Sequence, residues 1–418
     1  MGLVDDIIGI SAIGIKAQQM NALLNAKTAE KGLRFGPSKC KTMIVGQENK
    51  AFNTNALTVD NWKVEYVIDE KTGEPKLNEW YDGKIEIEPV SKQKYLGFVI
   101  SNQGNNMANI LEVKNKSIGI IRKILEKLDS LKLKKYYFEC GLLFMNVILR
   151  GSILYAAETY YNLTEKELRI IERIEESYMR KLLKTTAGCP VIQLYLELSQ
   201  IPARFAIIKA RLMFLKSILN ENESSRLAQF VKLQFDERKK GDWIVSCIED
   251  LKELGFTGSL EEIKELKRNN FRNIINKKIR ENAFKYLLKK QRSKGKDIDY
   301  QEYQMADYLL PNNSLKNIED QRYLFAIRNK MINIPSNFGK TVKCICEEIE
   351  SMSHIYECSK MSKEEKTINF EKIYNGKLRE KVIVLEKFRN NMKIREKHIH
   401  VIASRSTNNC QVFSYGNT

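Results

Sequence analysis

The chain has 418 residues, 43% of them hydrophobic and 29% charged, which supplies apolar surface for two or three folded domains and excludes a wholly disordered protein. Its net charge of +18 and pI of about 9.3 point to a polyanionic partner. Nucleic acid is the simplest such partner, an anionic membrane surface the competing one, and a charged, well-solvated face the plainest account.

Taken in chain order, the first hundred residues alternate strand, helix and hairpin signals. Residues 3–11 read as strand, turn, strand. Residues 16–31 carry Met20, Leu23 and Leu24 at helical spacing and stop at Gly32. "KCKTMIV" reads as a strand. Residues 62–90 alternate around two turn signals, Thr72-Gly73 and Asp82-Gly83. "KYLGFVIS" is a further strand. Residues 105–220 are helical, with Ile118, Ile121, Ile124, Leu125 and Leu128 predicted to share one face. Thr164 and Glu167 form a capping box, followed by the periodic Leu168, Ile171, Ile174, Tyr178 and Leu182. The apolar stretch 141–157 is short and interrupted by Asn146 and Arg150, so it is expected as a buried helix and not as a membrane span. Residues 221–418 are helical and more charged, with linkers expected near 220–225 and 292–297. No secretory leader is visible and the eight cysteines are mostly scattered, so the expected setting is intracellular and reduced, in nucleus or cytoplasm.

Three groups of residues carry chemistry. The first is "LVDDIIGI", where Asp5 and Asp6 stand side by side between apolar residues. Successive side chains on a strand point to opposite faces, so both carboxylates serve one site only if the backbone turns there. Like charges that close need a cation, and a pair of Mg²⁺ ions supplies one and drives in-line phosphoryl transfer. A helix start is the other reading of two acids in a row. The second group is "CICEEIESMSHIYEC", with Cys344, Cys346, His354 and Cys358 spaced C-x-C-x7-H-x3-C. His354 and Cys358 are i and i+4, hence on one helix face. Four soft ligands suit a closed tetrahedral zinc, and reduced cysteines beside a solvated histidine are the alternative. His398 and His400 alternate as on a strand, with no carboxylate or cysteine cluster near them, and read as part of a solvated basic tail.

The third group is the tract 264–296, with 13 Lys or Arg against two Glu. Lys277, Lys278, Arg280, Lys285, Lys289, Lys290 and Arg292 are its candidate phosphate contacts. Ile274, Ile275, Ile279, Leu287 and Leu288 supply an inward face, and Phe271, Phe284 and Tyr286 read as core more readily than as stacking platforms for bases. A solvated helix face is the alternative reading of the tract.

"LVDDIIGIS", "NALLNAKTAEKGLRFGPSKCKTMIVG" and "YLGFVISNQGNN", in that order and spacing, resemble the reverse transcriptases of non-LTR, LINE-type retrotransposons. "RGSILYAAETYYNLTEKELRIIERIEESYMRKLLK" resembles the helical region after that family's thumb, and "YLFAIRNKMINIPSNFG" with the Cys/His cluster its C-terminal end. The resemblance implies an α+β, predominantly α chain: part of a palm over 1–101, thumb and linker helices over 102–220, a basic helical region over 221–340, and a zinc-knuckle-like segment with a basic tail over 341–418. It also implies that Asp5 and Asp6 bind Mg²⁺, that Lys39 assists proton transfer to the leaving pyrophosphate, and that Tyr95, Leu96 and Gly97 form the primer grip. Partners would be an RNA template, a DNA primer or target and deoxynucleotides, with no membrane.

Two departures from the family stand out. The aromatic two residues before the first aspartate is here Leu3. The family's fingers and its earlier palm aspartate lie upstream of the Asp-Asp turn, whereas only Met1 and Gly2 precede Leu3 here. The chain by itself is therefore expected not to polymerise, and the strand at Leu3 is expected to be an exposed, poorly ordered edge. A non-catalytic nucleic-acid-binding fragment is the second functional reading, and a basic helical interaction protein the third.

Overall fold

The computed structural model describes residues 14–408 apart from 33–34, 37–38, 44–56, 69–74, 134, 186–188, 240, 293–302, 312, 314, 316, 333, 335–340, 342, 345, 359 and 361–367. These residues make an α+β chain that is predominantly helical. It divides into two compact units, Met1–Asn115 and Lys116–Thr418.

In the first unit, α1 (Gly14–Glu30) ends as its sequence predicts, at Gly32, whose φ of +73° suits a residue without Cβ. β1 (Lys41–Thr42) is what the described residues show of the strand expected at "KCKTMIV". β2 (Thr58–Ile68) and β3 (Pro75–Glu86) form one long antiparallel ribbon. The side-chain amide of Asn21 on α1 donates to the Thr58 carbonyl at 2.6 Å and ties helix to ribbon.

The Asp82-Gly83 signal is not a turn between strands. Asp60 faces Lys84 and Trp62 faces Tyr81, so Asp82 and Gly83 stand opposite Asn61 alone. This is a β-bulge inside a continuous strand, with Gly83 at φ +87°. Asp82 is held there by Asn61 Nδ2 at 3.0 Å and Lys63 Nζ at 2.8 Å. β4 (Glu88–Pro89) pairs parallel with β1. "KYLGFVIS" is likewise not one strand but a hairpin of β5 (Lys92–Tyr95) and β6 (Phe98–Ser101). The expected strand-turn-strand of 3–11 lies outside the described residues.

α2 (Met107–Ser130) carries the division between the units. Ile121, Ile124 and Leu128 are buried, but Ile118 is 63% exposed. The buried stripe runs through Ser117 instead, because 117, 121, 124 and 128 follow the helical period and 118 lies about 100° round. α3 (Tyr137–Phe144) continues through one π turn, Met145–Leu149, into α4 (Arg150–Ile153). The expectation of a fully buried helix here is half met: Leu142, Met145, Leu149 and Ile153 are buried, while Leu143, Val147 and Ile148 face out. No helix among the described residues is long and apolar enough to cross a membrane.

α5 (Glu165–Leu182) begins with the predicted capping box, Thr164 N donating to Glu167 Oε2 at 2.9 Å and Glu167 N to Thr164 Oγ1 at 3.2 Å. It crosses α3 at Gly141, where an added Cβ would lie 2.6 Å from Leu182 Cδ1. The Tyr178 hydroxyl donates to the Gly141 carbonyl at the same crossing, at 2.6 Å. α6 (Val191–Glu197) and α7 (Ala203–Leu219) pack against α5. Three glutamates of α5 are buried with arginine partners: Glu175 with Arg150 Nε at 2.7 Å, Glu172 with Arg204 Nε at 2.6 Å, and Glu176 with Arg169. Burial raises the Glu175 carboxyl above its usual range, against the pull of Arg150.

The expected linker at 220–225 joins α7 to α8 (Arg226–Glu237), and α9 (Trp243–Glu253) and α10 (Leu260–Glu265) follow. α11 (Arg268–Arg292) buries Phe271, Ile275, Ile279, Ala283, Leu287 and Gln291. A four-residue step advances about 40° beyond each full turn. The stripe therefore winds around the helix, and α11 meets α7 and α6 along its length. Of the tract's aromatics Phe271 is core, as expected, while Phe284 and Tyr286 are half-buried against other rings. Phe271 meets Phe256 edge-on, Phe284 stacks on Tyr303, and Tyr286 meets Phe205. α12 (Ile318–Arg328), α13 (Met352–Glu357), α14 (Lys372–Asn375) and α15 (Leu378–Asn408) complete the unit. The backbone at His398 and His400 is helical, within α15, so the alternation expected of a strand does not apply. The linker expected at 292–297 lies, beyond Arg292, outside the described residues.

Candidate metal centre

Cys344, Cys346, His354 and Cys358 come together as their spacing predicts. A tight turn presents the first two. Cys344 N donates to Glu348 O and Glu347 N to Cys344 O, both at 2.8 Å, and an antiparallel bridge from Lys343 to Ile349 closes the turn. Glu347 sits at φ +72°, a left-handed conformation that costs a residue with a Cβ about 1 kcal/mol. α13 presents the other two. Ser351 caps it, its hydroxyl accepting from His354 N at 3.0 Å. Cys358 is the C-cap residue, its N–H donating to the His354 carbonyl at 2.7 Å.

The four ligand atoms lie within 4.8 Å of one another. Zn–S bonds of 2.3 Å in a tetrahedron put neighbouring sulfurs about 3.8 Å apart. Cys344 Sγ and Cys358 Sγ are 3.8 Å apart. His354 Nε2 lies 3.1 Å from Cys346 Sγ, and its Nδ1 lies 3.0 Å from Glu348 Oε2. Burial pushes the Cys344 thiol up to about 11, while a backbone hydrogen bond from Glu348 lowers the Cys346 thiol. The donor set of three sulfurs and one imidazole suits zinc and not Mg²⁺, which takes oxygen ligands. These residues can hold a zinc ion, and with all four positions filled by protein its role would be structural.

No protein-family model, curated protein or solved structure matches this chain. The residues around the centre hold it in place.

Those residues clamp the ligand segment to α15. Asn391 is fully buried, and its Nδ2 donates to the carbonyls of Ile355 at 2.8 Å and Tyr356 at 3.1 Å. Arg395 and Glu350 form a buried ion pair, with Nη2 to Oε2 at 2.9 Å. The Tyr356 ring packs against Phe370, which in turn meets Phe388. Sequence reasoning missed Glu348, Glu350, Asn391 and Arg395. The one signal was that Glu348 and Glu350 fall inside the ligand spacing; nothing in the sequence marks Asn391 or Arg395 as facing it.

The structure sorts the seven cations expected on α11. Lys278 donates to the Gly255 carbonyl at 2.7 Å and so closes the end of α9. Arg280 bonds the Tyr303 carbonyl, and Lys290 sits 4.2 Å from the centre of the Tyr286 ring. These three have local structural contacts. Lys277, Lys285, Lys289 and Arg292 are exposed, with no hydrogen-bond or ion-pair partner among the described residues. The buried stripe places Lys277, Lys285 and Lys289 in one outward row, each a multiple of four residues from the next. At a rise of 1.5 Å per residue the row spans about 18 Å.

Asp5 and Asp6 lie outside the described residues. Lys39 is exposed in a short turn, its N–H donating to Gly36 O at 2.9 Å. Tyr95 closes the β5–β6 hairpin opposite Phe98, and Leu96 and Gly97 form its tip at φ +46° and +86°. Two positive φ values make this a primed turn, which favours Asn-Gly over Leu-Gly. Replacing Leu96 with Asn should stabilise the hairpin by about 1 kcal/mol. Slower hydrogen exchange of the Tyr95 and Phe98 amides, the hydrogen-bonded pair next to the turn, would show it, and unchanged exchange would mean that Leu96 carries no strain.

Proposed function

We propose that this chain is the C-terminal part of the RNA-directed DNA polymerase of a non-LTR retrotransposon, and that its helical portion holds nucleic acid. The family resemblance from Leu3 to Cys358 motivates the reading. The observation that carries it is the convergent Cys₃His set in a chain of net charge +18. The four exposed, unpartnered cations of α11 add to it.

In the intact polymerase, Asp5 and Asp6 would hold Mg²⁺, which supplies charge neutralisation for in-line nucleotidyl transfer. Lys39 would offer its proton to the departing pyrophosphate. The hairpin tip at Tyr95, Leu96 and Gly97 would hold the primer strand against the palm. The zinc centre would keep the C-terminal segment folded. RNA template, DNA primer or target and deoxynucleotides are the implied partners.

The test of nucleic-acid binding is its salt dependence. If Lys277, Lys285, Lys289 and Arg292 each neutralise one phosphate of a duplex, they contribute a log–log slope of about −3.6, or on the order of 10²-fold in affinity between 50 and 200 mM salt. Changing all four to Gln should weaken binding of a labelled duplex and flatten the slope by that amount. None of the four has a partner among the described residues, so the variant should remain folded. An unaltered slope would remove α11 from the binding surface. No measurable binding at low salt by the unaltered chain would sink the proposal of a nucleic-acid holder and favour an acidic protein partner.

A further inference from the structure

We propose that Glu348 is a positioning residue of the metal centre: its carboxylate holds the Nδ1–H of His354 and so presents Nε2, with its lone pair, to the metal. This rests on the zinc reading above.

A neutral imidazole carries one proton on either of two nitrogens, and only the bare nitrogen can ligate. Here the two face different groups. Nδ1 lies 3.0 Å from Glu348 Oε2, while Nε2 lies 3.1 Å from Cys346 Sγ, inside the ligand cluster. The carboxylate accepts a proton-bearing nitrogen and repels a bare one. It therefore selects the tautomer that leaves Nε2 free, and it holds the ring against rotation about the Cβ–Cγ bond.

The backbone puts Glu348 in place without help from its side chain. Its carbonyl accepts Cys344 N at 2.8 Å, in the turn that carries the first two ligands. Its side chain is 74% exposed. A solvent-exposed side-chain contact of this kind contributes little to the fold, so removing the carboxylate should spare the turn and act on the histidine alone. Glu347 sits beside it in sequence, but Glu348 is the residue paired with His354. An outer-sphere partner of this kind typically contributes 10- to 100-fold to metal affinity.

The experiment uses the full chain loaded with zinc, titrated against a competing chelator. Glu348→Ala should bind zinc 10- to 100-fold more weakly than the unaltered chain. Glu348→Gln keeps an acceptor oxygen without the charge and should recover part of the loss. The thermal unfolding of the metal-free chain should be the same for all three proteins, which separates positioning from general stability. ¹⁵N-resolved spectra of His354 in the zinc-loaded chain should show metal on Nε2 and a protected proton on Nδ1, with faster exchange of that proton in Glu348→Ala. Equal affinity of the Ala variant, or metal on Nδ1, overturns the role of Glu348 and leaves the zinc centre standing. An unaltered chain that takes up no zinc overturns both.

Discussion

If Cys344, Cys346, His354 and Cys358 hold zinc as proposed, stripping it from the full chain should unfold the segment from Lys343 to Cys358 and loosen the part of α15 that packs on it. Besides the metal ligands, that segment is tied down by Asn391, by the Arg395–Glu350 pair and by the Tyr356 ring on Phe370, and it carries little apolar surface of its own. Its buried apolar residues are Met352, Ile355 and Tyr356, with Cys344 and Cys358 themselves. Burying a few such side chains contributes about 1.5 to 3 kcal/mol each, which ordering the turn and a six-residue helix largely offsets. A structural zinc supplies on the order of 10 kcal/mol, so its loss should dominate. The effect should grade along α15. Near its start Lys381 pairs with Asp307 at 2.9 Å, and further on Arg389 pairs with Asp320, so this half is tied to the rest of the unit independently of zinc. Asn391 and Arg395 instead bond Ile355, Tyr356 and Glu350, which move with the metal turn. Hydrogen exchange before and after chelation should therefore show protection lost at His354 to Cys358, partly lost near Asn391 to Arg395, and kept near Lys381 to Leu385. Cys358→Ser should behave as the chelated chain does. Full protection of the α13 amides after chelation would show that the segment folds on its apolar contacts and that the cysteines are not there for metal.

How much of this was legible in the sequence depends on whether the signal was local. The capping box at Thr164 and Glu167, the stop of α1 at Gly32, and the C-x-C-x7-H-x3-C spacing are each set by a few adjacent residues, and the structure shows each. Asp82-Gly83 misled because Gly at positive φ serves a bulge as well as a hairpin turn, and only the facing strand decides between them. Ile118 misled because apolarity alone does not fix a residue's angle: the inward stripe 117, 121, 124, 128 puts the polar Ser117 inside and leaves Ile118 about 100° round. The α11 cations look alike in sequence. Their division into contact-making and free follows from where α9, Tyr303 and Tyr286 lie. Glu348 and Glu350 sit between metal ligands, yet one reaches His354 and the other is buried with Arg395 from forty-five residues away. Such pairings are tertiary facts. Glu175 and Glu172 of α5 belong to the same class, since Arg150 and Arg204 come from other elements, whereas Glu176 pairs with Arg169 two turns away on α5 itself.

Glu197 and Arg328 offer the sharpest test of that tertiary network. Replacing Glu197 with Leu should destabilise the second unit by about 3 to 5 kcal/mol, because it leaves a buried guanidinium without its counter-charge. Both side chains are inside, at 0% and 6% exposure. Arg328 Nε donates to Glu197 Oε1 at 3.1 Å, and the Tyr308 hydroxyl donates to Oε2 at 2.8 Å. The same guanidinium reaches the carbonyls of Ile373 at 2.7 Å and Tyr374 at 2.6 Å. The pair thus joins α6 and α12 to α14, the short helix that leads into α15. Changing Arg328 to Met in the same chain should recover most of the loss, since a buried ion pair exchanged for apolar residues is often neutral or stabilising. Recovery should be incomplete here, because the two carbonyls and the Tyr308 hydroxyl would lose a partner, at about 1 kcal/mol or more each. Denaturant unfolding of the single and double variants separates the contributions. A single Leu variant within 1 kcal/mol of the parent would mean that water reaches Arg328 and that the buried pair does not hold α14 in place.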